Sequence, residues 1–173
     1  MSKKGGQWLV AGGQWRTHAE QSEQARRLLE QLVGFHCTVE HDAAGAPYIP
    51  EHPELHISIS HCRAAVAVAA GDIPIGIDIE SRRKVGKSLM ERVCTADELA
   101  KINASEDPEM TFLKFWTRKE AVLKCRRTGI KGFGSMVEAS TAADCTVTDI
   151  ATGLDDVVAA LATAAEPPEN HRR

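Results

Sequence analysis

Asp78, Glu80 and Glu120, together with Lys119 and Lys124, are the residue types that chemistry at a phosphate needs. Acidic side chains supply hard oxygen ligands for Mg²⁺ and leave positions for water and phosphate oxygens. Lysines beside such an ion neutralise charge on the phosphates. The first two acids lie in "IGIDIE" (75–80). A strand has a two-residue side-chain period, so Ile75, Ile77 and Ile79 share a face suited to a core. Gly76, Asp78 and Glu80 share the other face, where the glycine is expected to leave open space. The Cα atoms of the two acids would lie roughly 6.5–7 Å apart, two strand rises. Like charges this close call for solvent or a shared cation. A strand with one wet, acidic face accounts for the same pattern.

The other three residues lie in "FWTRKEAVLK" (115–124). On a helical wheel at 100° per residue, Phe112, Phe115, Trp116, Val122 and Leu123 form an apolar stripe. Lys114, Arg118, Ala121 and Cys125 fall on the opposite, wet side. Lys119 falls inside the stripe, where a lysine must snorkel out or meet an anion. Glu120 and Lys124 sit one turn apart, and an i,i+4 ion pair accounts for both. It does not account for Lys119.

These residues need elements to hold them. Positions 25, 28, 29, 32 and 33 are apolar at helical spacing and predict a helix over 18–33, stopped at Gly34. Strand patterns cover 37–41, 55–61, 64–70, 75–80 and 146–151. "DAAGAPYIP" (42–50) reads as a turn region. Helical patterns cover 88–93, 95–103 and 109–128. The last segment, "DDVVAALATAA", is helical by propensity and strand-like by its valine pair and the glycine turn before it. No short internal repeat is evident, and the polar, proline-containing tail 166–173 is expected to be flexible.

The bulk properties narrow the class. The chain has 173 residues, 43% hydrophobic and 26% charged, which suits one domain, or two very small ones, with a packed core. A net charge of −3 gives no reason to expect nucleic acid. No apolar run reaches membrane-spanning length, and the apolar part of the N-terminus is too short for a signal peptide. The 5 cysteines are scattered and odd in number, which fits reduced thiols in the cytoplasm.

Taken in order, the motifs resemble those of the 4'-phosphopantetheinyl transferases. "GIDIE" (76–80) and, about 35 residues later, "FWTRKEAVLK" are similar to that family's paired signature. "HISISHC" (56–62) resembles its serine–histidine strand, and "GAPYIP" (45–50) its Gly-Lys-Pro turn. The tryptophan-containing helix is similar to the larger, monomeric class that activates surfactin-type synthetases. The resemblance runs from about residue 18 to residue 162. It implies an α+β fold, a pseudo-dimer of two small α/β halves at about 1–73 and 74–165, with the active site in the cleft between them. It also implies that the last segment is a strand. The implied activity is transfer of the phosphopantetheine arm of coenzyme A to a serine of an apo acyl, polyketide or peptidyl carrier protein. Adenosine 3',5'-bisphosphate is released. Asp78, Glu80 and Glu120 would hold Mg²⁺ against the pyrophosphate. Glu120 would also help deprotonate the serine, Lys124 would neutralise the leaving group, and Lys119 would point into the cleft at the phosphates. Ser60, His61, Pro47 and Arg26 or Arg27 would contact coenzyme A.

The sequence departs from the family at Ala46, where a lysine is usual, and it matches little before residue 18. Lys3 and Lys4 are the candidates to stand in for the basic residues of the family's longer lead-in. The same acids also suit another Mg²⁺-dependent phosphate-ester or nucleotide enzyme, and the altered turn suits a weakly active relative that only binds coenzyme A or a carrier domain. His52, His56 and His61 lack metal-site spacing. Cys62 and Cys125 read as small buried packers. The basic run in "ESRRKVGK" (80–87) reads either as a solvated surface or as a rim that steers an acidic carrier.

Overall fold

The computed structural model describes residues 6–129 and 133–165. The first half of the chain forms β1 (Gln7–Gly12), α1 (His18–Val33), β2 (Glu40–His41), β3 (Pro47–Tyr48), β4 (His56–His61) and β5 (Ala65–Gly71). The second forms β6 (Ile75–Ser81), α2 (Lys87–Val93), α3 (Ala96–Ala104), α4 (Pro108–Cys125), α5 (Phe133–Ala139), β7 (Cys145–Ile150) and β8 (Val157–Ala164). The fold is mixed α/β. Lys3, Lys4 and the tail 166–173 lie outside the described residues.

Local chemistry explains the element ends. Thr17 caps α1, accepting from the Glu20 amide while the Glu20 carboxylate accepts from the Thr17 amide. Gly34 ends it at φ 84°, a left-handed conformation that glycine adopts without strain. Asp107 caps α4 by accepting from the Met110 amide, and Pro108 follows at the first helical position, where no amide is needed.

Two three-stranded antiparallel sheets organise the chain, with strand orders β1–β5–β4 and β6–β8–β7, and β2 and β3 pair as a small separate ribbon. In each three-stranded sheet, the strand that comes last in sequence lies in the middle. α1 buries Ala25, Leu28 and Leu29 against Val66 and Val68 of β5. The other face of β5 presents Ala65, Ala67 and Ala69 to Ile75, Ile77 and Ile79 of β6 and to Ala159 and Leu161 of β8. Small residues on one sheet and large ones on the other let the two layers pack closely.

α4 packs on β6 and β8. Ala160 and Ala162 sit opposite Asp78 and Gly76 in the β6–β8 ladder and are fully buried beneath the helix. Gly76 is therefore not beside open space, as its sequence context suggested. A Cβ there would run into the Ala121 carbonyl oxygen and the Cys125 amide nitrogen. The helix backbone rests directly on the glycine. This also corrects the wheel, because Ala121 and Cys125, assigned to the wet side, are buried against the strand. The opposite flank of α4 is covered by Val93, Ile102, Met136 and Ala139 from α2, α3 and α5. A helix covered on both flanks has no single apolar stripe to read.

Other boundaries shift. The strand expected over 37–41 is reduced to Glu40–His41, because Cys37 and Val39 pack into the α1–β5 core instead of joining a sheet. α4 stops at Cys125 rather than 128. β1 and α5 had no sequence-based counterpart. The last segment is a strand, β8, as the resemblance implied, since its place between β6 and β7 outweighs alanine's helix propensity.

Gly76→Ala is expected to lower unfolding stability by roughly 3 kcal/mol or more, since only backbone could yield to the new methyl. Urea denaturation would measure it, and a loss below about 1 kcal/mol would show that α4 has room to retreat.

Candidate active site

The site forms where β4 meets the free edge of β6. In an antiparallel pair, alternate residues direct their amides away from the partner strand. Those of Ile77 and Ile79 point away from β8 and donate to the hydroxyls of Ser58 (3.0 Å) and Ser60 (3.4 Å) on β4. Ser58 and Ser60 are two residues apart, so one face of β4 meets both. Ser60 in turn donates to Asp78 Oδ1 at 2.8 Å.

Asp78 is 6% exposed. Its Oδ1 also accepts from Lys124 Nζ at 2.7 Å, and that ammonium bonds the Ile77 carbonyl at 3.1 Å. The Lys124 charge offsets the cost of burying the carboxylate. The second oxygen, Oδ2, is buried and has no hydrogen-bond partner. Buried polar atoms are seldom left unpaired, and Asp78 is a lining residue of the cavity that opens beside it.

Glu120 lies one helical turn before Lys124. Burial pushes its carboxyl up to about 7, and the charges of Asp78 and then Glu80 push the same way, against Lys124. The three acids thus feel one another across the β6–α4 contact. Glu80 is held by Arg83 at 3.4 Å. Among the described residues, no group of three His, Cys, Asp or Glu side chains is already assembled to hold a metal ion. Asp78 is turned instead to its serine and lysine.

Beside Asp78 and Lys124 opens a cavity of about 750 Å³. Arg26, Pro47, Ser60 and His61, all expected at coenzyme A, line it with them. Glu80, Glu120 and Lys119 do not. Arg26 reaches the wall with its charge already engaged, at 2.8 Å from both Glu23 and Glu30. Arg27 points outward and pairs with Glu23. Burial lowers the pKa of His61, and His18 and Lys124 add to the effect, so its ring is neutral at neutral pH. His18 meets it edge-on, with centroids 4.8 Å apart.

Lys119 needs correction. It does not point into the cleft. Its ammonium is buried among α2, α3 and α4, where it donates to Glu98 Oε2 at 2.7 Å and to the Val93 carbonyl. Glu98 also accepts from the Thr95 amide at the start of α3. The lysine in the apolar stripe does meet an anion, but a protein carboxylate rather than a phosphate.

The sequence reading missed several cavity residues. His18, Ser22 and Ala25 line it with Arg26, and their i, i+4, i+7, i+8 spacing is one stripe of α1. That stripe was there to be found. His36, Thr38 and His41 also line the cavity, the first two from the irregular chain after α1 and the last from β2. The basic run divides: Arg82 is held by Asp107 (2.6 Å) and Asp156 (2.7 Å), while Arg83 lies over the Trp116 ring. Lys84 and Lys87 remain exposed.

The sequence model of the 4'-phosphopantetheinyl transferase superfamily matches residues 74–162, just over half of the chain. The chain belongs to that superfamily. The match begins at the turn before β6 and ends within β8, so it takes in β6 and α4 with the acids and Lys124. The chain is similar to the 4'-phosphopantetheinyl transferase psf-1 of Bacillus pumilus, with 33% identity over 104 residues. It is also similar to the 4'-phosphopantetheinyl transferase Sfp of Bacillus subtilis strain 168, with 33% identity over 88 residues. These stretches cover 59% and 50% of this chain, and 42% and 39% of the relatives' own lengths. The chain therefore spans well under two thirds of either relative. All five cysteines are free, and among the described residues no helix is long and apolar enough to cross a membrane.

Two measurements test this account. Lys119→Met is expected to cost about 3–5 kcal/mol in urea unfolding by stranding the buried Glu98, and Lys119→Met with Glu98→Leu should recover much of it. Glu120 titrates near 4.5 in the unfolded chain and about 7 in the folded one. The folded state holds the extra proton between those values, so without divalent ions stability falls as pH rises through that window, by on the order of 3 kcal/mol. Unfolding curves at pH 5 and pH 8 should show this fall, and Glu120→Gln should remove it.

Proposed function

We propose that this protein transfers the phosphopantetheine arm of coenzyme A to a serine of an apo carrier protein and releases adenosine 3',5'-bisphosphate. The observation that carries the reading is Asp78. Its carboxylate is shared between Ser60 and Lys124 in the wall of a cavity large enough for a nucleotide, with one oxygen unpartnered and Glu120 alongside. The relatives' names speak of phosphopantetheinyl transfer, and membership of the superfamily supports the same chemistry for this chain.

Mg²⁺ belongs to the proposal. The donor set fits a hard cation: Asp78 Oδ2 is free to bind, and the mutual repulsion of Asp78, Glu80 and Glu120 would be relieved by one. Asp78, Glu80 and Glu120 would hold it. When bound, the ion would neutralise the pyrophosphate of coenzyme A.

The chain's own groups supply the rest. Glu120, on α4 beside Asp78, is the group that would take the proton of the attacking serine. The serine oxygen bonds to the phosphorus bearing the pantetheine arm, and the bond to the adenosine phosphate breaks. Lys124, already at the cavity wall, neutralises charge on the departing phosphate. Ser60 and His61 hydrogen-bond the coenzyme from β4. Arg26 contributes only by trading Glu23 or Glu30 for a phosphate. Pro47 shapes the opposite wall without a polar contact.

The repeated strand order, with β5 and β8 each central, supports a pseudo-dimer with halves near 1–73 and 74–165. Both halves then line one cleft, which is the arrangement a monomer requires. An acidic carrier would meet Lys84 and Lys87 rather than Arg82, whose charge is spent on Asp107 and Asp156. The free thiols suit the cytoplasm.

The test is a mass measurement. The protein, coenzyme A and Mg²⁺ are mixed with apo carriers of the fatty-acid, polyketide and peptide-synthetase types. The expected result is a gain of one phosphopantetheine arm on at least one carrier, with Asp78→Ala and Glu120→Ala slowed at least about 100-fold. No gain on any carrier would sink the reading. Phosphate release from a nucleotide instead would point to a different phosphate-ester enzyme.

A further inference from the structure

Arg127 has a backbone conformation that its residue type does not favour. Its φ is 54°, in the left-handed region, and a non-glycine residue stays there only where its surroundings hold it. What holds it is the end of α4: the Arg127 amide donates to the Lys124 carbonyl at 3.0 Å and the Thr128 amide to the Leu123 carbonyl at 3.2 Å, and from this turn the Arg127 side chain reaches across the molecule. Arg127 follows α4, one turn past Lys124. Its Nη2 lies 2.8 Å from Asp42 Oδ2, and its guanidinium reaches the carbonyls of Ala46 and Pro47 at 3.5 Å. Asp42 is the residue that shapes this turn. Its Oδ1 accepts from the amides of Ala44 and Ala46, both at 2.9 Å, and Gly45 takes φ 82° within it.

The turn is also a wall of the coenzyme cavity, through Gly45 and Pro47, while Lys124 and Asp78 line the cavity from the second half of the chain. A second, smaller cavity of about 160 Å³ lies beside the turn and is lined by Ala46, Pro47, Lys124 and Arg127. The turn is therefore not packed solidly against α4. The guanidinium is what spans the gap. A planar fork that engages a carboxylate and two carbonyls fixes direction as well as distance, which a lysine's point charge does not.

We infer that Arg127 is a positioning residue for coenzyme A: by gripping Asp42 and the 45–47 turn, it sets the width of the cavity between Pro47 and Lys124. It touches neither the acids nor the reacting phosphate. Its effect is on binding and not on the chemical step. The ion pair is half exposed and adds little to stability. Its consequence is geometric.

The inference rests on the coenzyme A reading above, and the experiment separates the two. Coenzyme A binding is measured by calorimetry, with Mg²⁺ and no carrier, for wild type, Arg127→Gly, Arg127→Lys, Asp42→Asn and the Arg127→Gly/Asp42→Asn double variant. Glycine relieves the left-handed strain, so Arg127→Gly should keep a melting temperature close to wild type. It should bind coenzyme A about tenfold more weakly, and Asp42→Asn similarly. The double variant should be no weaker than the worse single one, because both remove the same grip. Arg127→Lys should recover only part of the affinity. In the transfer assay, KM for coenzyme A should rise about tenfold in Arg127→Gly with kcat within about twofold, the signature of lost uniform binding. Wild-type affinity in Arg127→Gly, or losses that add in the double variant, would overturn the positioning role and leave the coenzyme A reading intact. No coenzyme A binding by wild type would overturn both.

Discussion

The edge of β6 that faces β4 is closed by serine hydroxyls instead of by a neighbouring strand. Ser58 and Ser60 take the amides that a ladder would otherwise use. A buried amide without a partner costs on the order of 1–3 kcal/mol, so the two halves of the chain are fixed in register at this line. The same Ser60 hydroxyl donates to Asp78, which ties the register of the seam to the aim of the carboxylate. Asp78 in turn anchors Lys124, and with it the last turn of α4. Structure and site share one set of hydrogen bonds.

α4 is held from both sides by different means. On the sheet side there is no side chain at all between backbones at Gly76, so the helix sits as low as it can. That close approach lets Lys124 reach Asp78 and brings Glu120 within electrostatic reach of two more acids. On the far side the buried Lys119–Glu98 pair fixes α3 against the helix. Arg118 adds a bidentate grip on Asp149 of β7, at 2.7 and 2.6 Å. Glu120 thus has its neighbours fixed before any ligand arrives. Its carboxyl pKa is raised first by burial and then by the charge of Asp78, and a cation would relieve the second of these.

Much of this was legible. The alternation in "IGIDIE" gave the strand and the shared face of its acids. The 3.6-residue pattern gave α1 and α4. The Thr17–Glu20 capping box at the start of α1 was not read, though both residue types stand in the sequence. Lys119 was flagged correctly as a charge in an apolar place, but the anion it meets comes from a helix some twenty residues upstream, and no local pattern names it. Ala121 and Cys125 were misread because a wheel assumes one dry side, and α4 has two. β1 was missed because Trp8, Leu9 and Val10 follow one another without the apolar–polar alternation that marks a strand.

Residue types and short-range periodicity depend only on neighbours along the chain, so the sequence by itself determined the acids, the lysines and the elements that carry them. Which partner each charged group takes depends on groups separated by many residues in the chain. Only the tertiary structure decided that Lys119 is spent on Glu98, that Lys124 goes to Asp78, and that Arg127 crosses to Asp42. A charge too costly to bury alone takes whatever countercharge packing delivers, and packing is not written in any one segment.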